Sequence, residues 1–424
     1  MTLTEDAKED GVVVSCRRVL ITGLGPVCSL GDTAAGFWNA LVEGRSGVDH
    51  VPALDGAPVG IGAAVPIEGS PRLCPKEHRL DRSTQMALVS TAVALEDAGL
   101  SLEGDRAGVV LGSSRGAVGL LEWWHERFRS RGGGGVGPHA SPYTTAGNLS
   151  GAVARRFGMR GPSLSVSAAC SSASQAIGLA MDLIRHGRAD VMVAGGAEAC
   201  LTPFCMSMFA ATGILSRRVE APQAASRPFD RDRDGIVIGE GAGTIVLESE
   251  DHARGRGARV YAELAGFGST CDAASLTAVP QDGGGLARAI RLALEDAGTS
   301  PDAVDYVNAH GTATLAGDRA ETAALKSSLG PHVRAIPVSS TKSMTGHLVG
   351  AAGGIEAAAC VLALTHGVVP PTINLEHADP ECDLDYVASG ARRRELRVVL
   401  STSMGFGGNN TCLVFTRATP APWR

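Results

Sequence analysis

A repeated pattern of strands and helices constrains the fold of this chain more than any other feature. The hexapeptide ALEDAG occurs at 94–99 and again at 293–298, and each copy ends a helical pattern that precedes an apolar stretch. A second parallel follows in the same order, because SLSVSAAC leads into a helix ending LIRHG and IPVSSTKS leads into a helix ending ALTHG. Two correspondences in one order predict an internal duplication.

The fold class follows from the alternation of apolar β-branched runs, such as GTIVLESE and RVVLSTSMGFGG, with helical patterns. This alternation predicts an α/β protein whose sheets are covered by helices. We expect a flexible leader at 1–16, a first half at 17–260 and a second half at 261–424. The Gly- and Pro-rich stretch at 131–142 predicts a surface loop inside the first half. ITGLGP lacks the third glycine of a dinucleotide loop, and we expect a structural strand and turn there.

Composition excludes several classes of function. The chain has 424 residues, 44% of them hydrophobic, and a net charge of −6, which disfavours nucleic-acid binding. Its N-terminus carries acids and no evident export signal, and the apolar stretch at 354–364 is too short to span a bilayer. Ten cysteines without a CxxC pair indicate reduced thiols. We expect a soluble cytoplasmic protein with no nucleic-acid or membrane partner.

Three side chains stand at equivalent places in the pattern. Cys170 ends a β-type stretch where an amphipathic helix begins, and unpaired N–H groups there are expected to lower the pKa of its thiol. His310 follows an apolar strand in NAHGTATLAGD, and His347 follows another in STKSMTGHLVGAAGG, in company with Lys342. Each group follows a strand and precedes small residues, so we expect all three to meet at one edge of the sheets.

The combination of residue types narrows the chemistry. A cysteine with one histidine would suit a protease, in which the histidine acts as a base. Two histidines and a lysine suit donation of hydrogen bonds to a carbonyl oxygen that becomes an enolate, while the cysteine carries an acyl group as a thioester. The residues therefore indicate carbon–carbon bond formation, a chemistry that requires neither a metal nor a cofactor.

These motifs together resemble the β-ketoacyl-acyl-carrier-protein synthases, in the Cys-His-His branch of the thiolase-like superfamily. The resemblance covers nearly all of 17–417 and implies a five-layered αβαβα fold built from two pseudo-duplicated halves. The stretches that carry it are ITGLGPV, the Cys170 run, DVMVAGGAEA, ASRPFDRDRDGIVIGEGAGTIVLE, NAHGTATLAGD, STKSMTGH, GAAGGIEA, PPTINLE and GFGGNN.

The resemblance also implies a role for each matching residue. Cys170 would take an acyl group from an acyl carrier protein, and His310 and His347 would hold the thioester oxygen of malonyl carrier protein while it loses carbon dioxide. The backbone N–H groups of Cys170 and Phe406 would form the oxyanion hole. Lys342 would orient and electrostatically tune the histidines, assisted by Glu356. Thr312 and Thr314 would form hydrogen bonds to the phosphopantetheine arm. Phe406 would be the gating aromatic residue beside the thiol.

The chain departs from the family pattern at several positions. Leu315 replaces the usual proline after HGTxT, and Met404 replaces a first phenylalanine before the gate. Arg115 stands where the acyl pocket of the family usually has an apolar residue. The arginine would shorten the pocket, pair across an interface or indicate a polar or polyene-like growing chain. An arginine for carrier docking is missing near the gate, leaving Arg217 and Arg218. Asp318 and Glu321 are expected to form structural ion pairs.

Partners and alternatives complete the prediction. The resemblance implies an acyl carrier protein as partner, and either a homodimer or a heterodimer with a chain-length-determining subunit. Fatty-acid and polyketide elongation both fit, and the chain length and starter unit are left open. A coenzyme A-dependent thiolase is one alternative, although it would need a second cysteine near GFGGNN. A non-catalytic chain-length-determining subunit is the other, although it would be expected to lack Cys170.

Overall fold

The computed structural model describes residues 17–102 and 104–418, so the predicted leader at 1–16 lies outside the described residues. The strands are β1 (Val19–Val27), β2 (Asp49–His50), β3 (Ile61–Gly62), β4 (Ala107–Gly112), β5 (Ser163–Val166), β6 (Val191–Glu198), β7 (Gly241–Ser249), β8 (Ala262–Cys271), β9 (Tyr306–Asn308), β10 (Val338–Ser339), β11 (Val368–Val369), β12 (Arg392–Arg393), β13 (Val398–Gly405) and β14 (Asn409–Thr416). The helices are α1 (Ala34–Glu43), α2 (Arg82–Ala98), α3 (Val118–Arg131), α4 (Ala140–Thr144), α5 (Asn148–Phe157), α6 (Ser172–Arg185), α7 (Pro203–Ala211), α8 (Glu250–Gly255), α9 (Gly284–Asp296), α10 (Leu315–Leu329), α11 (Lys342–Thr345) and α12 (Ala352–His366).

The main sheet repeats one strand pattern twice. Its order is β10-β9-β13-β14-β8-β1-β7-β6-β4-β5. In the first half β1, β7 and β6 are antiparallel neighbours, and β6, β4 and β5 are parallel. In the second half β8, β14 and β13 are antiparallel, and β13, β9 and β10 are parallel. The duplication is confirmed, and the halves join where β1 pairs with β8.

Helices cover both faces of each half of the sheet. Helices α2 and α5 pack on the outer face of the first half, and α9 with α10 beside it covers the second. Helices α6 and α12 lie between the halves, and each contacts strands of both. The contact of α12 with β7 needs small residues, since a Cβ on Gly354 would lie 2.2 Å from the carbonyl oxygen of Gly243. The five layers are therefore α, β, α, β, α, as predicted.

The segment around α12 corrects one expectation from the sequence. Residues Val349–His366 form one helical span that is long and apolar enough to cross a membrane by length and composition, so the apolar stretch is longer than predicted. That span is 89% buried inside the protein. Since it lies between two halves of a sheet, its apolar composition is that of a core helix.

Two other sequence predictions concern local structure. Residues 131–142 lie mostly at the surface, as predicted, but the segment is not a continuous loop because α4 begins inside it. ITGLGP is part of β1, whose nine residues are all buried, so its glycines serve a strand rather than a ligand loop. Gly23 and Gly25 let α2 lie directly against this strand, since a Cβ on either would overlap a carbonyl oxygen of α2.

Candidate active site

The turn between β5 and α6 projects the Cys170 side chain towards a cavity. Ala169 adopts a left-handed conformation with φ 51° directly before it, an arrangement that costs energy for a residue other than glycine. The hydroxyl of Ser172 accepts the backbone N–H of Ala168 at 2.9 Å, which closes the turn. Helix α6 begins two residues after Cys170. The thiol thus lies where a tight strand-to-helix connection meets the cavity.

The pKa of the Cys170 thiol differs from the sequence expectation. The pKa of the Cys170 thiol is raised to about 11, mainly by burial, and the carboxylate of Glu198 acts in the same direction. The cation of Lys342, the backbone N–H of Phe406 and the guanidinium of Arg115 act in the opposite direction. The prediction of a lowered pKa is therefore wrong, because the desolvation of the thiolate outweighs the favourable effect of the helix terminus.

The two histidines meet beside this thiol. His347 lies in the connection that leads from β10 to α12, the counterpart of the one that carries Cys170, and its backbone N–H donates to the carbonyl oxygen of Val237 at 2.7 Å. His310 follows β9. Their rings contact edge to face, with centroids 5.4 Å apart and an angle of 89° between planes. Both side chains are buried, so the second half places two imidazoles at fixed positions in the cavity.

Both imidazoles are neutral over the ordinary pH range. Burial lowers the pKa of each well below its usual value, and the nearby Lys342 cation lowers it further. Nδ1 of His310 and both ring nitrogens of His347 have no hydrogen-bond partner among the described residues. A neutral imidazole has one N–H donor and one acceptor. The pair is therefore free to donate hydrogen bonds to a bound oxygen.

A buried ion pair lies behind the histidines. Nζ of Lys342 donates to Oε1 of Glu356, and both side chains are almost fully buried. Burial raises the pKa of Glu356, whereas the neighbouring lysine lowers it. Neither residue lines the cavity. Their positions suit an electrostatic influence on the histidines rather than contact with a bound molecule.

One cavity of about 620 Å³ brings together most of the predicted site residues. Thr312 and Thr314 lie on its wall with their hydroxyl oxygens 3.3 Å apart. The predicted site residues that line it are Cys170, His310, His347, Thr312, Thr314, Met404, Phe406 and Arg115. Its volume is that of an ordinary small-molecule site.

The loop after β13 faces the thiol. The backbone N–H of Phe406 faces the Cys170 sulphur and acts to lower the pKa of this thiol. Gly407 has φ 81°, a conformation that favours glycine, and its N–H donates to the carbonyl oxygen of Leu276 at 2.9 Å. Nδ2 of Asn410 donates to Oδ1 of Asp272 at 2.8 Å. These bonds hold the Phe406 loop against the segment that follows β8.

Two buried glutamates anchor the loops of the site, and the sequence did not single out this role. Glu198, at the end of β6, accepts the backbone N–H groups of Ser114, Arg115 and Gly350 at 2.7–3.2 Å. Glu321 accepts those of His310 and Gly311, each at 2.7 Å. A carboxylate in a strand of otherwise apolar residues was the available signal for Glu198.

Asp318 and Glu321 were both expected to form ion pairs, and only Asp318 does so within the described residues. Asp318 does form an ion pair, with Arg233 at 3.1 Å, and both are buried. For Glu321 the prediction is wrong. Its carboxylate accepts backbone N–H groups and the hydroxyl of Thr402 at 2.7 Å, and no ion pair to it is found within the described residues. Hydrogen bonds to N–H groups satisfy its two oxygens instead.

Another group of side chains has the spacing of a metal site. Atoms of Asp230, Asp232 and His377 all lie within 4.8 Å of one another. Asp230 pairs with Arg227 and accepts three backbone N–H groups, which occupy its oxygens. None of the three residues lines the cavity. This group therefore belongs to the surrounding framework.

Comparisons with known proteins identify the class. Residues 16–253 match the model of the β-ketoacyl synthase N-terminal domain, and residues 261–376 match that of its C-terminal domain. The chain is 43% identical over 408 residues to 3-oxoacyl-[acyl-carrier-protein] synthase 2 of Synechocystis sp., covering 95% of this chain and 98% of that protein.

Solved structures agree with this class. A ketosynthase in complex with its type II polyketide acyl carrier protein, bound to the hexaketide, has a TM-score of 0.89 at 36% identity, covering 96% of this chain and all of that one. The ishigamide ketosynthase/chain length factor has a TM-score of 0.88 at 35% identity, with the same coverage. The fold and site are those of a thiolase-like condensing enzyme. The chain belongs to the β-ketoacyl synthase family, as predicted.

Proposed function

We propose that this chain catalyses the decarboxylative Claisen condensation of an acyl group held on Cys170 with malonyl-acyl-carrier-protein. The products are β-ketoacyl-acyl-carrier-protein and carbon dioxide, formed in type II fatty-acid or polyketide chain elongation. The observation that carries this proposal is the meeting in a single cavity of one thiol and two neutral histidines, of which three ring nitrogens have no hydrogen-bond partner within the described residues.

The first step is acyl transfer to Cys170. The sulphur attacks the carbonyl carbon of the acyl carrier thioester, the new C–S bond forms, and the bond to the carrier sulphur breaks. The proton of the Cys170 thiol ends on the departing carrier thiol. The backbone N–H groups of Cys170 and Phe406 stabilise the oxyanion of the tetrahedral intermediate, and the contact of the Phe406 N–H with the sulphur supports this placement.

The second step forms the carbon–carbon bond. Malonyl carrier protein loses carbon dioxide, and the electrons of the broken C–C bond form an enolate whose oxygen accepts hydrogen bonds from His310 and His347. The enolate carbon attacks the thioester on Cys170, and the bond between the acyl carbon and this sulphur breaks. The released thiolate takes one proton from solvent. Lys342 and Glu356 act behind the histidines, since burial keeps both imidazoles neutral and the lysine charge adds to this effect.

The proposed chemistry uses no metal and no resident cofactor, because histidines and backbone donors stabilise the charge. The phosphopantetheine arm of the carrier would enter beside Thr312 and Thr314, whose hydroxyls lie on the cavity wall. Phe406 and Met404 line the same wall and would act as the gate of the acyl pocket.

The alternatives fit the site less well. A thiolase needs a second cysteine at the reacting centre. Cys271 lies against the Phe406 loop, with its sulphur 3.5 Å from the carbonyl oxygen of Gly407, but it does not line the cavity. A non-catalytic chain-length-determining subunit has no use for a thiol and two histidines in one cavity. Neither alternative accounts for all three side chains.

The proposed partners are an acyl carrier protein and a second ketosynthase-like subunit, either a copy of this chain or a chain-length-determining relative. Edge strand β5 and helices α3 and α7 carry exposed apolar side chains that such a subunit would cover, namely Trp123, Phe128, Leu164 and Phe204. Arg217 is exposed and available for an acidic carrier, whereas Arg218 pairs with Asp234. We place the protein in the cytosol with its carrier.

Reconstitution tests the proposal. The purified chain is incubated with acyl carrier protein loaded with [¹⁴C]acyl groups and with malonyl carrier protein, and the β-ketoacyl product and released carbon dioxide are measured. Wild type should form both, and Cys170→Ala should lower condensation by about 10³-fold or more. Cys271→Ala is the control and should keep activity. Condensation by Cys170→Ala at the wild-type rate would refute the assignment.

A further inference from the structure

Arg115 places an unpaired cation on the wall of the proposed acyl cavity. It lies in the loop after β4 and lines the same cavity as Cys170. Its guanidinium forms no ion pair and no hydrogen bond within the described residues, although most arginines of the chain form ion pairs. Arg115 is exposed, so water satisfies its guanidinium until a bound group displaces that water.

The nearest acid does not neutralise this charge. Glu198 contacts Arg115 through the backbone N–H, at 3.2 Å, and not through the guanidinium. The oxygens of Glu198 are occupied by the hydroxyl of Ser113 and by the N–H groups of Ser114 and Gly350 as well. The carboxylate therefore fixes the loop and leaves the cationic end of Arg115 available.

An aromatic ring holds the guanidinium in place. The Cζ atom of Arg115 lies 5.1 Å from the centroid of the Phe209 ring, a cation–π contact, and Phe209 also lines the cavity. Such a contact uses a face of the guanidinium and leaves the N–H donors at its edge free. The cavity wall also includes the apolar side chains of Ile214, Ile236 and Val349. Arg115 is thus a positioned donor on a wall that it shares with apolar side chains.

We propose that Arg115 is a specificity-determining residue whose guanidinium receives an oxygen, either a carbonyl or a carboxylate, borne by the acyl group on Cys170. This inference rests on the proposed function and names its substrate class: acyl chains that carry oxygen beyond the thioester, rather than plain alkyl chains. Guanidinium N–H groups form charge-assisted hydrogen bonds to such oxygens, and an alkyl chain would leave the cation unsatisfied.

Loading of Cys170 with matched thioesters tests this role. The full chain is incubated with pantetheine thioesters of hexanoate, 5-oxohexanoate and adipate, and the rate of adduct formation is followed by intact-protein mass spectrometry. The variants are Arg115→Met, which keeps length without charge, and Arg115→Lys, which keeps charge without the planar fork. Arg127→Met is the matched control, since Arg127 also lies over an aromatic ring, that of Trp123, outside the cavity.

The readout is the rate of adduct formation with each oxygenated thioester divided by the rate with the hexanoate thioester. Arg115→Met should lower this ratio by about tenfold or more, the size of one charge-assisted hydrogen bond, and Arg127→Met should leave it unchanged. Loss for both oxygenated thioesters indicates a carbonyl or carboxylate partner, and loss for adipate alone indicates a carboxylate. Arg115→Lys should retain more of the ratio for adipate than for 5-oxohexanoate, because the charge remains.

Two negative outcomes are distinguishable. Equal rates for all three thioesters in wild type, or an equal change for all three in Arg115→Met, would overturn the specificity role and leave the condensation untouched. A wild-type chain that forms no more adduct with any thioester than Cys170→Ala does would overturn the proposed function itself.

Discussion

The loops that follow equivalent strands in the two halves have the same position and different chemistry. The connection after β5 carries Cys170, and its counterpart after β10 carries His347. The connection after β4 carries Arg115, and its counterpart after β9 carries His310. The first half thus supplies the nucleophile and a candidate specificity residue, whereas the second supplies both imidazoles. Duplication kept the framework, and the reactive groups were divided between its copies.

The anchoring of these loops also differs between the halves. Glu321 and the N–H groups that it accepts, those of His310 and Gly311, all belong to the second half. Glu198 belongs to the first half, yet it accepts the N–H of Gly350 from the second as well as those of the Arg115 loop. One carboxylate therefore fixes a loop within its own half, and the other fixes the two halves to each other at the site.

The largest effect that distinguishes the halves is expected at the histidines. His310→Ala or His347→Ala should lower malonyl decarboxylation by about 10²–10³-fold, because each removes one donor to the developing enolate oxygen. Acyl loading of Cys170 should persist, since that step uses the first half and the Phe406 loop. Carbon dioxide release and intact mass measure the two steps separately. His186→Ala, at the exposed end of α6, is the control; unchanged decarboxylation in both histidine variants would contradict the division of labour.

Substitution of each of the two anchoring glutamates should lower the free energy of unfolding by a different amount. Glu198→Gln should lower the free energy of unfolding by about 2–4 kcal/mol, since one amide oxygen must replace two oxygens that accept four donors. Glu321→Gln should cost less, about 1–3 kcal/mol, because fewer donors lose their acceptor. Thermal and urea unfolding measure both, with exposed Glu220→Gln as the control. A larger loss for Glu321→Gln would reverse the assigned roles.

The reactivity of the Cys170 thiol, in the first half, should rise steeply with pH. With the pKa of Cys170 at about 11, the thiolate fraction and the alkylation rate with iodoacetamide should rise about tenfold per pH unit from pH 7 to 10. Lys342→Met should slow alkylation at each pH, because the lysine cation lowers this pKa. Peptide mass spectrometry identifies the alkylated cysteine. An alkylation rate that reaches a plateau below pH 8 would contradict the raised pKa and agree with the lowered pKa predicted from the sequence.

Malonyl decarboxylation, which depends on the histidines of the second half, should change least with pH. Their pKa values lie well below the usual value, so both imidazoles stay neutral as the pH falls through 6.5. Malonyl decarboxylation should therefore change by less than about twofold between pH 7.5 and 6. Stopped assays on Cys170→Ala isolate this step from acylation. A fall that follows a group titrating near pH 6.5 would show that at least one imidazole becomes protonated there.

The sequence predicted the framework better than the energetics of the site. The duplication, the layers and the meeting of Cys170 with His310 and His347 followed from strand-to-helix periodicity and small residues, which are local signals. The raised pKa of Cys170 did not, because it depends on how much protein surrounds the sulphur. The partners of Glu321 and the contact of Arg115 with Phe209 also escaped prediction, since they join residues that the fold alone brings together.

The central helices α6 and α12 have a consequence for the synthesis of the chain. Strands β6 and β7 of the first half pack against α12, which ends at His366, more than 100 residues after β7 ends at Ser249. A ribosome that has completed the first half has made α6, which packs against β4 and β6, but has not yet made α12, which packs against β7. The apolar surface of β7 stays open until the second half emerges, so this is where a holding chaperone would be needed, and where a chain truncated before residue 352 would aggregate.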